Sequence, residues 1–457
     1  MKRLLLVFAT IVGTSCSLDN KTGIWKDAGN IVVDNQSPKT IVNDNSTTRY
    51  EDIITKKKTF NEEKENLVLP RGKIESPLKL VSWLEQYAIP SNNISNFSYL
   101  GNKKLLYKSS KLSKFSSNKN HTNRSIIFYK NNFISYDHKG TIFIYSLNLK
   151  KKIFQYNFYK KNFKKFNKEI YLIVDENILY AADNLGYLYA LDLNDNSIIW
   201  AKNYGIPFRS NLKFSNNQIY LANQDNVIYS IDAKTGDKKW QFATSSTFLK
   251  SDFKNNFALD LINNNLLFLN TSGELYSINF LTQKINWVLN FKNPSLVGGT
   301  ELFFSQPIVI KNNDIIISTE KAVLSYNILT GSKNWDLFAE IIVKPIVAMN
   351  YTYMVLKNNL LICVDNVSGN VVWSKNIFIK KEDTKMKKKF GSISDFKIVN
   401  NKINIYSKNG YLLSFNSNDG NLIYKSRINR NGIQSKIFFL NDNMFFVDNV
   451  NKLLKFN

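Results

Sequence analysis

The sequence predicts an all-β protein, an eight-bladed β-propeller made of four-stranded antiparallel blades. Two observations predict this fold. A short phrase recurs along most of the chain, and its fullest copy runs from Ile228 to Trp240. The chain then ends on three strand-like runs that lack a fourth partner. Four strands in a repeat of roughly 40–50 residues are typical of a propeller blade.

Each copy of the phrase predicts a β-hairpin. In the fullest copy, Val227, Tyr229 and Ile231 alternate with residues of the opposite face, as expected for a strand. Asp232 then opens a tight turn, because its side chain can bond the backbone two residues on. Gly236 supplies the positive φ angle that the turn requires. A second strand ends on an aromatic residue, and the segment before the phrase supplies the other two strands of the blade.

The number of aromatic ends predicts the number of blades. Seven copies end on Phe154, Trp200, Trp240, Trp287, Trp335, Trp373 and Tyr424. The runs 437–440, 444–447 and 453–456 then supply three strands of an eighth blade. Residues 103–108, which contain Tyr107, have the pattern of the missing outer strand. We therefore predict that an N-terminal strand closes the ring, which removes an exposed sheet edge.

The N-terminus predicts export and a lipid anchor. Residues 1–15 form a signal peptide, with basic residues at 2–3 and an apolar run at 4–12 that is too short to span a membrane. Cys16 follows small residues, which predicts that it is lipidated and becomes the new N-terminus. Ordinary signal-peptide cleavage is the alternative. Ser17 after the cysteine favours the outer membrane, so the predicted location is its periplasmic face.

Composition divides the mature chain into a tether and the propeller. Residues 16–75 are rich in Asn, Asp, Thr, Ser and Lys and poor in large apolar residues, which predicts a lipidated, disordered tether. The propeller is predicted to cover 76–457. Cys363 lies in a strand pattern and is expected to be a buried, unpaired thiol.

The net charge of +25 and the pI of about 9.6 do not predict a nucleic-acid partner, because the basic residues are scattered along strands and loops. The run 380–389 is the one Lys-rich cluster that stands out. It is interpreted as a solvated loop, and contact with anionic lipid headgroups or an acidic partner is the alternative.

The sequence contains few of the residue combinations that are typical of catalytic sites. His121 and His138 are the only histidines, and neither has the spacing of a metal ligand. Asp192, Asp232 and Asp365 recur at one place in the blade, which indicates turn formation rather than metal binding. We therefore predict no metal, no cofactor and no enzyme activity.

The phrase Asp-x-x-Thr-Gly-x-x-x-Trp at 232–240 resembles the repeat of the pyrroloquinoline-quinone (PQQ)-like propeller family. The segments 82–86, 90–93 and 100–107 are similar to the ring-closing N-terminal segment of the BamB-type outer-membrane assembly lipoproteins of that family. The opening from Cys16 to Trp25 is similar too. The resemblance covers about residues 1–30 and 80–457. It implies a non-enzymatic periplasmic scaffold that assists the insertion of β-barrel proteins into the outer membrane.

The same family contains quinone-dependent dehydrogenases, which are the alternative function. Resemblance to those enzymes would require adjacent cysteines in a disulfide, a Ca²⁺ site and a catalytic Asp. Cys16 and Cys363 are the only cysteines and lie far apart in sequence. Another kind of periplasmic interaction module is the third possibility.

The resemblance also implies a partner, the POTRA region of a BamA-like barrel-assembly protein, contacted through loops between blades. By repeat position these loops are 242–254 and 291–306. The residues expected to bind are Phe248, Leu249, Lys250, Leu296 and Glu301. The alternative for Phe248 is that it folds back over the gap between blades. The protein is expected to be monomeric within a hetero-complex.

Overall fold

The computed structural model describes residues 17–18, 25–26, 58–65, 74–112, 125–159, 163, 166–246, 252–291, 302–378 and 383–457. Residues 1–56 form a unit of their own. In that unit the described backbone is a short antiparallel ladder of β1 (Ser17–Leu18) and β2 (Trp25–Lys26). The predicted signal peptide and Cys16 lie outside the described residues.

The unit from residue 57 onward contains eight four-stranded antiparallel sheets, which confirms the predicted eight-bladed propeller. Seven blades take four consecutive strands each. Blade 1 consists of β4 (Ile127–Tyr129), β5 (Asn132–Tyr136), β6 (Thr141–Ser146) and β7 (Lys151–Asn157), blade 2 of β8 (Ile170–Asp175), β9 (Ile178–Asp183), β10 (Tyr187–Asp192) and β11 (Ile198–Asn203), and blade 3 of β12 (Lys213–Ser215), β13 (Gln218–Ala222), β14 (Val227–Asp232) and β15 (Lys238–Ala243). Blade 4 consists of β16 (Asn256–Asp260), β17 (Asn265–Leu269), β18 (Glu274–Asn279) and β19 (Lys284–Asn290), and blade 5 of β20 (Val309–Lys311), β21 (Asp314–Ser318), β22 (Val323–Asn327) and β23 (Lys333–Leu337). Blade 6 consists of β24 (Ile346–Ala348), β25 (Tyr351–Val355), β26 (Leu360–Asp365) and β27 (Val371–Asn376), and blade 7 of β28 (Ile393–Val399), β29 (Lys402–Ser407), β30 (Tyr411–Asn416) and β31 (Leu422–Arg427).

Blade 8 closes the ring with strands from both ends of the propeller. Its strands are β32 (Phe438–Leu440), β33 (Asn443–Val447), β34 (Lys452–Phe456) and the early strand β3 (Leu105–Lys111). The strand β3 pairs antiparallel with β34, and Leu105 lies opposite Phe456. The predicted closure by an N-terminal strand that contains Tyr107 is therefore confirmed. Closure gives blade 8 four strands, the same number as in each of the other blades.

Burial follows the position of each strand in its blade. In blade 3 the central part of β14 is buried on both faces, whereas β15 alternates between exposed and partly buried residues. The first strands of neighbouring blades contact one another around the axis, and the last strands lie at the rim. Inner strands are covered by the blades on either side, so they contain apolar residues on both faces.

An aromatic residue at the end of one blade lies beneath the turn of the next blade. The indole Nε1 of Trp200 donates a hydrogen bond to the carbonyl oxygen of Ala233 at 3.0 Å. A Cβ atom on Gly236 would lie 2.6 Å from the Trp200 ring, and Gly236 has a φ of +72°. The carboxylate of Asp232 accepts the backbone N–H groups of the same turn, as predicted. Glycine is needed here both for the turn and for the close approach of the indole.

The Lys-rich run forms a helix rather than the loop that the sequence indicated. The helix α1 (Asp383–Phe390) ends on Phe390, whose side chain is completely buried beside blade 7. The exposed residues Lys387, Lys388 and Lys389 occupy its last turn. Cations are favourable there because the carbonyl end of a helix carries partial negative charge. Burial of Phe390 anchors this short helix.

Residues 58–65 lie along the outer edge of blade 6, within the range predicted as tether. The backbone N–H of Phe60 donates to the carbonyl oxygen of Phe338 at 2.7 Å. Lys64 and Ser374 of β27 exchange two backbone hydrogen bonds, of 3.1 and 2.9 Å. This stretch therefore satisfies part of one sheet edge that would otherwise be open.

Candidate functional site

An N-terminal segment, residues 74–101, crosses the inside of the ring, and we call it the plug. Its contacts occur in the order of the blades. They are Leu80 with Asn441 of blade 8, Trp83 with Phe128 of blade 1, Leu84 with Val174 of blade 2, Glu85 with Lys213 of blade 3, Pro90 with Leu259 of blade 4, Ser91 with Ile310 of blade 5, Asn93 with Val347 of blade 6 and Phe97 with Ile398 of blade 7. The plug thus makes one circuit of the ring and closes the central channel at one end.

Local chemistry explains why this irregular segment can be buried. Asn92 is 1% exposed, and its amide donates to the carbonyl oxygens of Phe257 and Ile308 at 2.9 and 3.0 Å. The amide of Asn93 both donates to Val347 and accepts from it. Asparagine side chains therefore satisfy first-strand backbone groups that face the axis and have no further strand beside them.

A buried ion pair joins the plug to blade 3. The Nζ atom of Lys213 lies 2.6 Å from Glu85 Oε1 and donates to Asn92 Oδ1 at 2.7 Å. The Lys213 side chain is fully buried. Burial lowers the pKa of Lys213 and raises the pKa of Glu85, since both charged forms lose water, whereas the pairing acts in the opposite direction on each. Removal of either partner would leave the other as an uncompensated buried charge.

A cavity of about 350 Å³ lies on the axis, above the plug. The plug contributes Trp83, Asn92 and Phe97 to its wall. Most of the remaining lining residues precede or begin the first strands of blades 2 to 8, and Lys408 lies in the turn between β29 and β30. The cavity therefore lies toward the face of the ring that carries the connections between blades, and we call this the loop face.

The loop face also carries the two loops predicted to bind a partner. Phe248, Leu249, Lys250, Leu296 and Glu301 all lie outside the described residues. The ends of their loops are described, and they meet. The rings of Phe253 and Phe303 are 5.5 Å apart in an edge-to-face arrangement, and Phe304 is 6.4 Å from Phe253. Phe303 is buried against Gly273, whereas Phe304 is 36% and Leu302 39% exposed. The sequence analysis did not predict this contact, because Phe253 and Phe303 belong to different loops and no repeat pattern relates them.

The aromatic ends of the blades all lie between blades, with partners that differ. The indoles of Trp200, Trp287 and Trp335 each donate to a turn carbonyl of the next blade. Trp373 packs on the turn glycine Gly420. Trp240 has no hydrogen-bond partner for its Nε1 among the described residues. Phe154, Tyr107 and Tyr424 pack beside the cores at blades 1, 2 and 8, and the hydroxyl of Tyr107 contacts Tyr145.

Groups that could hold a metal or a redox centre are scarce. In the part of the chain that the structure describes, no group of three or more His, Cys, Asp or Glu residues is placed to hold a metal ion. Cys363 is a free, buried thiol whose pKa is raised by burial. Cys363 lies opposite Tyr353 on the neighbouring strand and interacts with its hydroxyl group. No described helix is long and apolar enough to cross a membrane.

The sequence of this chain is similar to those of known proteins. A family model described as outer membrane protein assembly factor BamB matches residues 150–375. The outer membrane protein assembly factor BamB of Yersinia pestis is 22% identical over 264 residues, which span 53% of this chain and 62% of that relative, less than two thirds of its length.

Two solved structures share the architecture. BamB from Moraxella catarrhalis superposes with a TM-score of 0.59 at 13% identity, over 76% of this chain and 99% of that chain. A quinohemoprotein alcohol dehydrogenase from Pseudomonas putida superposes with a TM-score of 0.57 at 9% identity, over 82% of this chain and 80% of that chain. At such identities these likenesses show the fold alone.

Proposed function

Because this chain belongs to the PQQ-like repeat β-propeller family, we propose that it is a non-enzymatic scaffold lipoprotein of the outer-membrane barrel-assembly machinery. In this role it binds the POTRA region of a BamA-like protein through its loop face and assists the insertion of β-barrel proteins. Lipidated Cys16 holds it at the periplasmic face of the outer membrane. The family match to assembly factors supports this function over the dehydrogenase function.

One structural observation carries the proposed binding site. Phe253 ends the loop between blades 3 and 4, Phe303 ends the loop between blades 4 and 5, and their rings are in contact. The aromatic contact therefore joins the ends of two loops that are separate in sequence. Phe304 and Leu302 add partly exposed apolar surface beside it. A partly exposed apolar centre of this kind suits the core of a protein interface.

The dehydrogenase alternative lacks its expected residues. The chain has two cysteines, at positions 16 and 363, so it cannot form the adjacent-cysteine disulfide that the resemblance to those enzymes requires. The likeness of the folds does not itself favour redox chemistry, because scaffolds and enzymes share this propeller.

The proposed site can be tested by capture of the partner. The double variant Phe248→Ala/Leu249→Ala should bind the purified POTRA region of the BamA-like protein from the same organism at least 10-fold more weakly, since interface anchors typically contribute about 2 kcal/mol or more each. The melting temperature should be unchanged. Binding is measured by biolayer interferometry on the soluble mature chain.

Blade 4 offers a matched control. Leu261 and Ile262 are also adjacent and apolar, are 52% and 86% exposed, and lie in the turn between β16 and β17, away from the loops between blades. The variant Leu261→Ala/Ile262→Ala should bind the partner normally. Equal losses of binding in both double variants, or normal binding with a lowered melting temperature in the Phe248/Leu249 variant, would reject the loop face as the interface.

A further inference from the structure

The cavity on the axis collects more lysines than carboxylates. Its lining includes Lys254, Lys344, Lys397, Lys408 and Lys436, against Asp252 and Asp395. The carboxylate of Asp395 is already engaged, because Oδ1 accepts Lys397 Nζ at 3.0 Å and Oδ2 accepts the backbone N–H of Ile437 at 2.8 Å. The positive charge of this cavity is therefore only partly balanced by the side chains that line it.

Three of these lysines, Lys344, Lys408 and Lys436, lack a carboxylate partner within the described part of the chain. Lys344 Nζ donates to the carbonyl oxygen of Pro345 at 3.2 Å, and Lys436 Nζ lies 4.2 Å from the centre of the Tyr87 ring. Lys254, by contrast, is paired with Glu169. Lys344 and Lys436 thus place two ammonium groups on the cavity wall with only neutral protein contacts.

This environment lowers the pKa of both lysines. Burial, together with the neighbouring charge of Lys397, lowers the pKa of Lys436 to about 8. Burial and the charges of Lys397, Lys436 and Lys213 hold the pKa of Lys344 well below its usual range. Like charges brought together at a partly buried site raise the free energy of the folded state, and an anion placed among them would relieve that repulsion.

Neutral donors are present on the same wall. Trp83, Tyr171 and Ser394 all line the cavity. The buried atoms Trp83 Nε1, Tyr171 Oη and Ser394 Oγ have no hydrogen-bond partner among the described residues. Each can donate a hydrogen bond. Unsatisfied buried donors beside unpaired ammonium groups call for an acceptor that carries negative charge.

The shape limits the size of such an acceptor. The volume of about 350 Å³ is near the lower end of small-molecule sites, which span roughly 300–1,000 Å³. The plug closes one end through its contacts with all eight blades, so a ligand approaches from the loop face. A compact molecule fits this space, whereas a folded partner does not.

We propose that the axial cavity is a binding site for a compact multivalent oxyanion, a small polyphosphate or polycarboxylate, held by Lys344 and Lys436. The ligand bridges the two ammonium groups and accepts hydrogen bonds from the neutral donors of the wall. Phe253 and Phe304, at the bases of the partner loops, also line this cavity, but Lys344 and Lys436 lie on neither loop. Partner capture by the Phe248→Ala/Leu249→Ala variant and tripolyphosphate binding by the lysine variants therefore test the two proposals separately.

Isothermal titration of the soluble mature chain with tripolyphosphate tests the site, at about 0.15 M ionic strength so that surface charges are screened. Wild type should bind one equivalent. Lys344→Met and Lys436→Met should each weaken binding about 10-fold or more, as expected for loss of a charged hydrogen bond. The double variant should abolish binding. Without ligand, its melting temperature should equal or exceed that of wild type, because uncompensated charge has been removed.

Lys234→Met is the matched control, since Lys234 is an exposed lysine in the turn between β14 and β15, on the opposite face from the loops between blades. It should bind tripolyphosphate as wild type does. Undetectable binding to wild type, or equal affinity in wild type and the Lys344→Met/Lys436→Met variant, would overturn the proposal.

An anionic lipid headgroup presents the same phosphate chemistry. Vesicles of phosphatidylcholine with phosphatidic acid therefore form a second arm of the experiment. Vesicles that displace tripolyphosphate from wild type, and that lose binding to the double lysine variant, would assign the site to a headgroup. Tripolyphosphate that stays bound in the presence of vesicles supports a soluble ligand.

Discussion

The indole Nε1 of Trp335, at the end of blade 5, donates a hydrogen bond of 3.0 Å to the carbonyl oxygen of Asn366 in the turn of blade 6. The same turn contains Gly369, at which a Cβ atom would lie 2.4 Å from Trp335. The contact joins blades 5 and 6 through the indole hydrogen bond and through the close packing of Trp335 on Gly369. It explains why tryptophan and turn glycine recur together in the sequence, although they belong to different hairpins.

We expect Trp335→Phe to lower stability more than Trp240→Phe does. Both changes remove part of an indole, but Trp335 also loses a hydrogen bond and leaves a buried carbonyl unsatisfied, whereas Trp240 Nε1 has no partner among the described residues. The difference should be about 1 kcal/mol. Urea unfolding followed by circular dichroism measures it, and equal losses would contradict the role of the hydrogen bond.

The pair of Lys213 and Glu85 should behave as a coupled unit. Lys213→Met and Glu85→Leu each leave one charge buried without its partner, which typically costs about 3–5 kcal/mol. The double variant removes both charges and should recover much of that loss. A double-mutant cycle from thermal or urea unfolding gives the coupling energy. Additive losses would show that the ion pair does not hold the plug in place.

Removal of residues 100–110 should destabilise the whole ring, because blade 8 loses β3 and leaves β34 as an open edge. Removal of residues 58–65 is the control, since that stretch covers the edge of blade 6 but leaves every blade with four strands. Thermal melts compare the two deletions. A melting temperature that falls equally in both, or in neither, would contradict the importance of closure.

The stability gained by Lys436→Met should depend on pH. Lys436 faces Lys397, Asp395, Lys344 and the ring of Tyr87, and its folded-state pKa of about 8 lies below the usual 10.5. Between these values the unfolded chain binds more protons, so the free energy of unfolding of wild type rises with pH. The variant lacks this rise. Its advantage should be constant below about pH 8 and vanish toward pH 10.5.

Cys16→Ser tests the lipid anchor. The variant should move from membranes into the soluble periplasmic fraction, because an acylated N-terminus is the anchor that remains after signal removal. Membrane fractionation in high salt measures this, with Cys363→Ser as the control that leaves the anchor untouched. A Cys16→Ser variant that still sediments with outer membranes would reject lipidation as the anchor.

The repeat pattern was sufficient to predict the ring. Hairpin turns at Asp232 and Gly236 are local in sequence, and each blade places its own hydrogen bonds within about 50 consecutive residues, so the sequence contains the whole unit. Even the closure by β3 could be predicted, because three terminal strands at 437–456 lacked a partner and one unassigned strand preceded the first blade.

The plug and the axial cavity were decided only by the tertiary structure. Glu85 reaches Lys213 across 128 positions and Asn93 reaches Val347 across 254, and neither contact has a periodic signature. The five lysines of the cavity come from four blades, and in the sequence each looks like one more scattered basic residue among the 61 Lys and Arg of the chain. Local sequence determines which strands pair within a blade. Only closure of the ring brings the first strands of all blades to one axis, and with them the charges that define the cavity.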